Sequence, residues 1–227
     1  MQREKTNNPL INVGILSTAY FPPVEYFAVL ASSGKALIER CETFQKQSYR
    51  TRCHIYSANG LLALTIPVKR EESKELKNTH KLLIDKIQID YSKQWVLQHK
   101  RAIEAAYMTT PFFEYYKDDI FAILDSGEPY LFNLNMRIIE LLNELIGIST
   151  PIEFTEDWNS DYSTIEFTDL RNAIHPKSKE SDMLDKLQIK KPYYQVFSNK
   201  QGFISNLSIL DLLCNEGPNS ISFLRRR

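Results

Sequence analysis

The spacing of apolar and polar positions changes several times along the chain, and each change marks an element. Ile11 to Leu16 form a short apolar run, bounded like a buried strand. Ser17, Thr18, Ala19 and Tyr20 lead from it into Pro22-Pro23. Phe21 precedes a proline and is biased away from helix, whereas Pro23 suits a first helical position. Val24, Phe27, Ala28, Leu30 and Ala31 then recur at helical spacing, and after Gly34 residues 35–39 read as a second strand. Residues 11–39 thus predict a strand–helix–strand crossover, in which ligands tend to sit where strand ends meet helix starts. A proline turn with no ligand is the alternative.

Period-two alternation surrounds Asn59-Gly60, a pair suited to a two-residue type I′ turn. Pairing Ile55 with Leu64 and Cys53 with Ile66 assigns Thr51, Cys53, Ile55 and Ser57 to a core face with Leu62, Leu64, Ile66 and Val68. The opposite face then carries Arg50, Arg52, His54 and Tyr56. Side chains two apart on a strand stand about 6.5–7 Å from each other. Arg50, Arg52 and His54 therefore predict a row of donors able to span a diphosphate or two carboxylates, with Lys46 and Tyr49 closing one end. The competing reading is a solvated charged face. Such a row calls for an anion among its members, either Asp211 or Glu25 from within the chain or a ligand.

Residues 71–78 are a charged loop, and residues 82–90 predict one or two further strands. Helical spacing follows over residues 92–109, where Trp95, His99, Ala102, Ile103, Ala106 and Tyr107 share one side. His99 on that stripe is either a satisfied core histidine or a ligand-contacting base. Residues 111–124 and 130–146 predict two more helices, the second ended by Gly147. Asn135 lies on the inner side of that second helix, where a buried amide either ties the helix to a loop or touches a ligand. A strand is predicted at residues 152–155. Beyond it, residues 156–163 and 169–177 read as an irregular stretch of the kind that forms lids, or as disorder. The last helix is expected at residues 205–214, capped by Ser205 or Asn206, with Asp211 partly buried.

The fold class expected is α/β: an N-terminal βαβ-type unit and a β-hairpin in a mixed sheet, with a helical middle at about residues 92–146 and a helical C-terminal region. One domain is expected over residues 1–227. Composition narrows the function. Twenty-eight basic residues balance 28 acidic ones, which weakens a nucleic-acid reading despite basic and aromatic residues interleaved at 44–56. Cys41, Cys53 and Cys214 are widely spaced, which suggests a reducing compartment. Residues 1–9 lack a signal-peptide core, and no apolar run reaches the ~20 residues of a membrane helix, so a cytoplasmic protein is expected. GxGxxG, P-loop, GxSxG and HExxH patterns are absent, and the four histidines show no metal spacing. The sequence identifies no cofactor.

Four separated segments carry a family resemblance: AYFPPVEYF at residues 19–27, FQKQSYRTRCHI at 44–55 with the following NG turn and LTIPV, WVLQHKRAIEAAYMTTPFFEYY at 95–116, and YYQVFSNKQGFISNLSILDLLCNEGP at 193–218. Together they resemble the WbqC-like protein family. The resemblance implies a bacterial, cytoplasmic setting among surface-polysaccharide genes. It directs attention to Tyr20, Pro22, Tyr26 and Phe27, to Lys46, Tyr49, Arg50 and Arg52, and to Trp95, His99 and Tyr107. Many members carry Gln-Pro where this chain has Ser17-Thr18, whose hydroxyls can take that place. Joined to the residue reading, it gives His99 and Tyr107 as catalytic candidates. Ser17, Tyr20, Lys46, Tyr49, Arg50, Arg52, His54 and Asn135 are the candidates for holding an anionic small molecule, nucleotide-linked or not. Group transfer on an activated, phosphate-bearing substrate is the function expected, with a non-catalytic sugar-nucleotide or protein-binding module as the alternative.

Overall fold

A computed structural model describes residues 10–69, 82–162, 166–177 and 183–226. The charged loop expected at 71–78 lies outside them. Strand β1 (Ile11–Ser17), helix α1 (Val24–Ser32) and strand β2 (Ser33–Glu39) form the crossover expected from the sequence, with β1 and β2 parallel. Burial on both sides explains why β1 reads as an apolar run rather than an alternating one. Strands β3 (Arg52–Ser57) and β4 (Gly60–Thr65) are the hairpin, and they form a two-stranded sheet of their own.

The hairpin turns one residue earlier than the sequence predicts. Ser57 pairs with Gly60, so Ala58 and Asn59 are the turn residues. Neither has positive φ, whereas Gly60 stands at φ 99°. This is a turn followed by a left-handed glycine, not two left-handed residues in a type I′ turn. Cys53 consequently pairs with Leu64 and Ile55 with Leu62. The partners move by two residues, and an even shift keeps every side chain on its face. Cys53, Ile55, Leu64 and Ile66 are buried, but Leu62 is exposed.

Residues 82–90 are not strands. They form a 3-10 turn at Ile84–Lys86 and isolated bridges to Thr43, Val68 and Tyr130. The helical middle consists of α2 (Trp95–Tyr107), α3 (Phe113–Leu124) and α4 (Leu131–Ile146). Gly147 ends α4 at φ 82°, the left-handed cap that glycine adopts without a Cβ penalty. Strand β5 (Ile152–Phe154) follows, and then a strand that the sequence does not announce, β6 (Phe167–Asp169). Short helices α5 (Met183–Lys186) and α6 (Ser198–Gln201) precede α7 (Ile209–Glu216) and α8 (Ile221–Leu224). The cap of α7 is Ser208, whose side chain accepts from the Leu210 amide, rather than Ser205 or Asn206.

The four-stranded sheet has the order β5-β2-β1-β6, and every pairing in it is parallel. Following the chain, β2 and β5 are laid down on one side of β1 and β6 on the other. The direction of winding therefore reverses between β1 and β6, and the carboxyl ends of these two strands flank a crevice where open parallel sheets bind ligands. No helix among the described residues is long and apolar enough to cross a membrane.

Candidate functional site

The carboxyl ends of the parallel strands carry buried charge. Glu39 closes β2 and is fully buried. Its Oε2 accepts from Arg171 Nη1 at 2.9 Å, and its Oε1 from Thr155 Oγ1 at 2.6 Å and the Cys41 amide at 2.8 Å. Asp169 closes β6 and takes Arg171 Nε at 3.0 Å and Nη2 at 2.5 Å. Burial acts to raise the Asp169 carboxyl, but the Arg171 hydrogen bonds overcome it and hold the group below its usual range. Ser17 closes β1. Its hydroxyl takes Arg50 Nη2 at 2.6 Å and lies 3.0 Å from Glu42 Oε2.

Arg50 is therefore not a free member of a strand-face row. It precedes β3 in a turn, is 3% exposed, and is closed by Glu42: Nε donates to Oε1 at 2.7 Å and Nη2 to Oε2. Sequence reasoning named Asp211 or Glu25 as the acid for these arginines. The partner is Glu42, only eight residues away but brought back by the turns between β2 and β3. Asp211 instead accepts from Tyr193 at 2.7 Å and Gln195 at 2.8 Å, and Glu25 accepts from the Met183 amide.

A narrow cleft opens at the point where the winding reverses. Leu16, Ser17, Thr18, Ala19, Tyr26, Tyr49, Arg50, Leu170, Arg171 and Ile174 line it. Its interior has room for little more than one water, so a larger ligand engages its mouth or parts its walls. Thr18 Oγ1 is buried there without a hydrogen-bond partner. Phe21, on the same loop, stands at φ 37° ahead of Pro22. A left-handed residue before proline costs on the order of 1–3 kcal/mol, and such strain gathers at sites where the fold fixes a loop for use. The start of α1, by contrast, is closed. Leu207 O takes the Val24 amide at 2.9 Å, and Asn206 Oδ1 takes the Glu25 amide at 3.0 Å. These amides are therefore not free to hold an anion, as the helix N-terminus of a dinucleotide site does.

Positive charge gathers beside the cleft. Arg52 is half-buried, makes no hydrogen bond or ion pair among the described residues, and has a buried, unpartnered Nε. His54, whose ring lies 5.7 Å from that of Tyr49, is pushed down by burial and by Arg52. The segment after β6 adds His175, pushed down by burial and by Arg50, Lys177 and Arg52. Lys177 Nζ reaches Gln47 Oε1, which fastens this segment over the turn that carries exposed Lys46.

The remaining candidates are buried behind this site. Asn135 Nδ2 donates to the Arg50 carbonyl at 2.9 Å, tying α4 to the turn. Tyr20 shares a 2.8 Å hydrogen bond with His99 Nδ1. His99 is 4% exposed and packs on Trp95; burial pushes it down to about 4, with the Thr65 carbonyl acting in the opposite sense. Tyr107 is buried against Asp211. Neither His99 nor Tyr107 lines the cleft. Glu42, Glu39 and Asp169 are not among the sequence candidates: Glu39 meets Arg171 from 132 residues away, and Glu42 and Asp169 meet near neighbours only through turns that the sequence pattern does not reveal. Arg171 and His175 fall in the 169–177 stretch, which the sequence marks as a lid or as disorder without a role for either residue.

Residues 18–180, well over half of the chain, match the WbqC-like protein family. The chain belongs to that family. The match starts at the β1–α1 loop and ends just past the His175 segment, so it takes in the Arg50–Glu42 pair and the Arg171 network. Over 231 residues the chain is also 26% identical to the uncharacterized protein Rv1507c of Mycobacterium tuberculosis (strain ATCC 25618 / H37Rv), covering 94% of this chain and 97% of that relative. No solved structure matches the chain.

Proposed function

We propose that this protein is a group-transfer enzyme of bacterial surface-polysaccharide or cell-envelope biosynthesis, and that the mouth of the cleft binds the phosphate of its substrate. One observation carries the reading. The Arg52 guanidinium is half-buried and unpartnered beside Arg50, His54 and His175, where an isolated cation is unfavourable until an anion joins it. The family relationship and the position at the carboxyl ends of β1 and β6 support it. A non-catalytic binding module is favoured by the absence of His99 and Tyr107 from the cleft lining; retained binding without turnover of any phosphate-bearing donor would decide for it.

Thermal unfolding with inorganic pyrophosphate tests the binding. A ligand that binds only the native state stabilises it by mass action, by about 2.7 kcal/mol at a hundred times its Kd. Pyrophosphate is expected to raise the unfolding midpoint. Arg52→Ala should weaken pyrophosphate roughly tenfold to a hundredfold, the scale of a charged hydrogen bond, with little change in stability without ligand. An unchanged midpoint with pyrophosphate, or an equal shift in Arg52→Ala, counts against the site.

A further inference from the structure

We infer that Trp158 is a stacking platform for the sugar ring of the ligand, so that the substrate is a sugar phosphate held at two ends. The inference rests on the phosphate reading above and adds the class of the attached group. Trp158 is 53% exposed, yet it is not loosely held. The Arg171 guanidinium lies 4.5 Å from its ring centre and 5.0 Å from that of Tyr162. Arg171 is itself fixed by Glu39 and Asp169, and its Nη1 also donates to the Asn159 carbonyl at 2.8 Å. A cation locked by two carboxylates therefore fastens the loop at both its rings and its backbone. The result is a large aromatic side chain fixed in place with much of its surface in solvent, within one arginine side chain of the cleft that Arg171 lines.

The charge around Trp158 selects the kind of ring. Glu156 and Asp157 stand on the same loop, in contrast to the basic groups at 50–54 and 175–177. Carboxylates repel a phosphate but accept hydrogen bonds from neutral hydroxyl groups. One side of the site thus suits a phosphate, and the other an uncharged polyol ring laid on an aromatic face. Beyond this loop, Glu156 and Thr155 border an open depression of about 740 Å³ with Arg40 and Cys41, large enough for a pyranose.

The chain has two tryptophans, and Trp95 is buried, so exposed tryptophan emission reports Trp158. Calorimetric titrations of the full chain would compare inorganic phosphate, a panel of hexose 1-phosphates and uridine 5′-monophosphate, with emission followed in parallel. At least one hexose 1-phosphate is expected to bind about tenfold tighter than phosphate, the scale of one aromatic contact, and to shift the emission. Trp158→Ala should return it to the affinity of phosphate, and Trp158→Phe should keep most of the gain. Phosphate bound with no gain from any hexose overturns the platform and leaves the phosphate reading standing. A gain confined to the uridine nucleotide overturns the sugar assignment. If phosphate and hexose phosphates both fail to bind, the two readings fall together.

Discussion

Arg50→Met is expected to destabilise the protein by about 3–5 kcal/mol, the loss seen when one partner of a buried ion pair is removed. Glu42 would remain 3% exposed, stripped of both the Nε and Nη2 donors and left with the Ser17 hydroxyl alone. Arg50→Lys should recover only part of the loss, because an ammonium cannot reproduce the two-pronged contact. Replacing both partners, as Arg50→Met with Glu42→Leu, should lose far less than Arg50→Met alone, since no buried charge is then left without a partner. Urea unfolding of the three variants reads these differences. Equal stability of wild type and Arg50→Met would mean that the pair is solvated in solution.

That pair also shows where sequence reading succeeds and where it stops. The crossover was legible because apolar runs and helical spacing are local signals, and residues 11–39 carry both. The faces of the hairpin were legible for the same reason, and they survived a wrong turn because the partners shifted by two. Strand β6 was not legible. Its three residues Phe167, Thr168 and Asp169 hold no alternation long enough to read, and their strand character comes from pairing beside Val13, Gly14 and Ile15. With β6 unseen, the reversal of winding could not be placed, although the end of β1 and three residues of the cleft there, Ser17, Tyr49 and Arg50, were legible as candidates. The acid for Arg50 failed differently. Asp211 is a candidate alongside Glu25 or a ligand because a buried carboxylate needs a partner, but tyrosine and glutamine donors satisfy one as well as an arginine does. Composition cannot separate those outcomes.

Asp211 and His99 should oppose each other as the pH falls. Burial raises the Asp211 carboxyl to about 6 in the folded protein, with Tyr193, Gln195 and Tyr107 pulling it back. Its unfolded value is near 3.9. Between these values the folded state holds a proton that the unfolded state has released, so Asp211 adds stability as pH falls from about 6 to 4. The full gain is about 3 kcal/mol. His99 has the opposite sign. Its folded value of about 4 lies below the unfolded value near 6.5. The unfolded state then takes up the proton first, and stability is lost by about 3 kcal/mol as pH falls from about 6.5 to 4. Asn at 211 keeps an acceptor for Tyr193 and Gln195 without the titration, so wild type should gain on Asp211→Asn by about 2 kcal/mol between pH 7 and pH 4. Wild type should lose on His99→Gln by about 3 kcal/mol over the same range. Denaturant unfolding of the three proteins at half-unit pH steps separates the two contributions, because each appears as a difference from wild type that is flat above pH 7. A gap between Asp211→Asn and wild type that does not move with pH would mean that Asp211 is already ionised at pH 4, held by its donors against the burial that raises it.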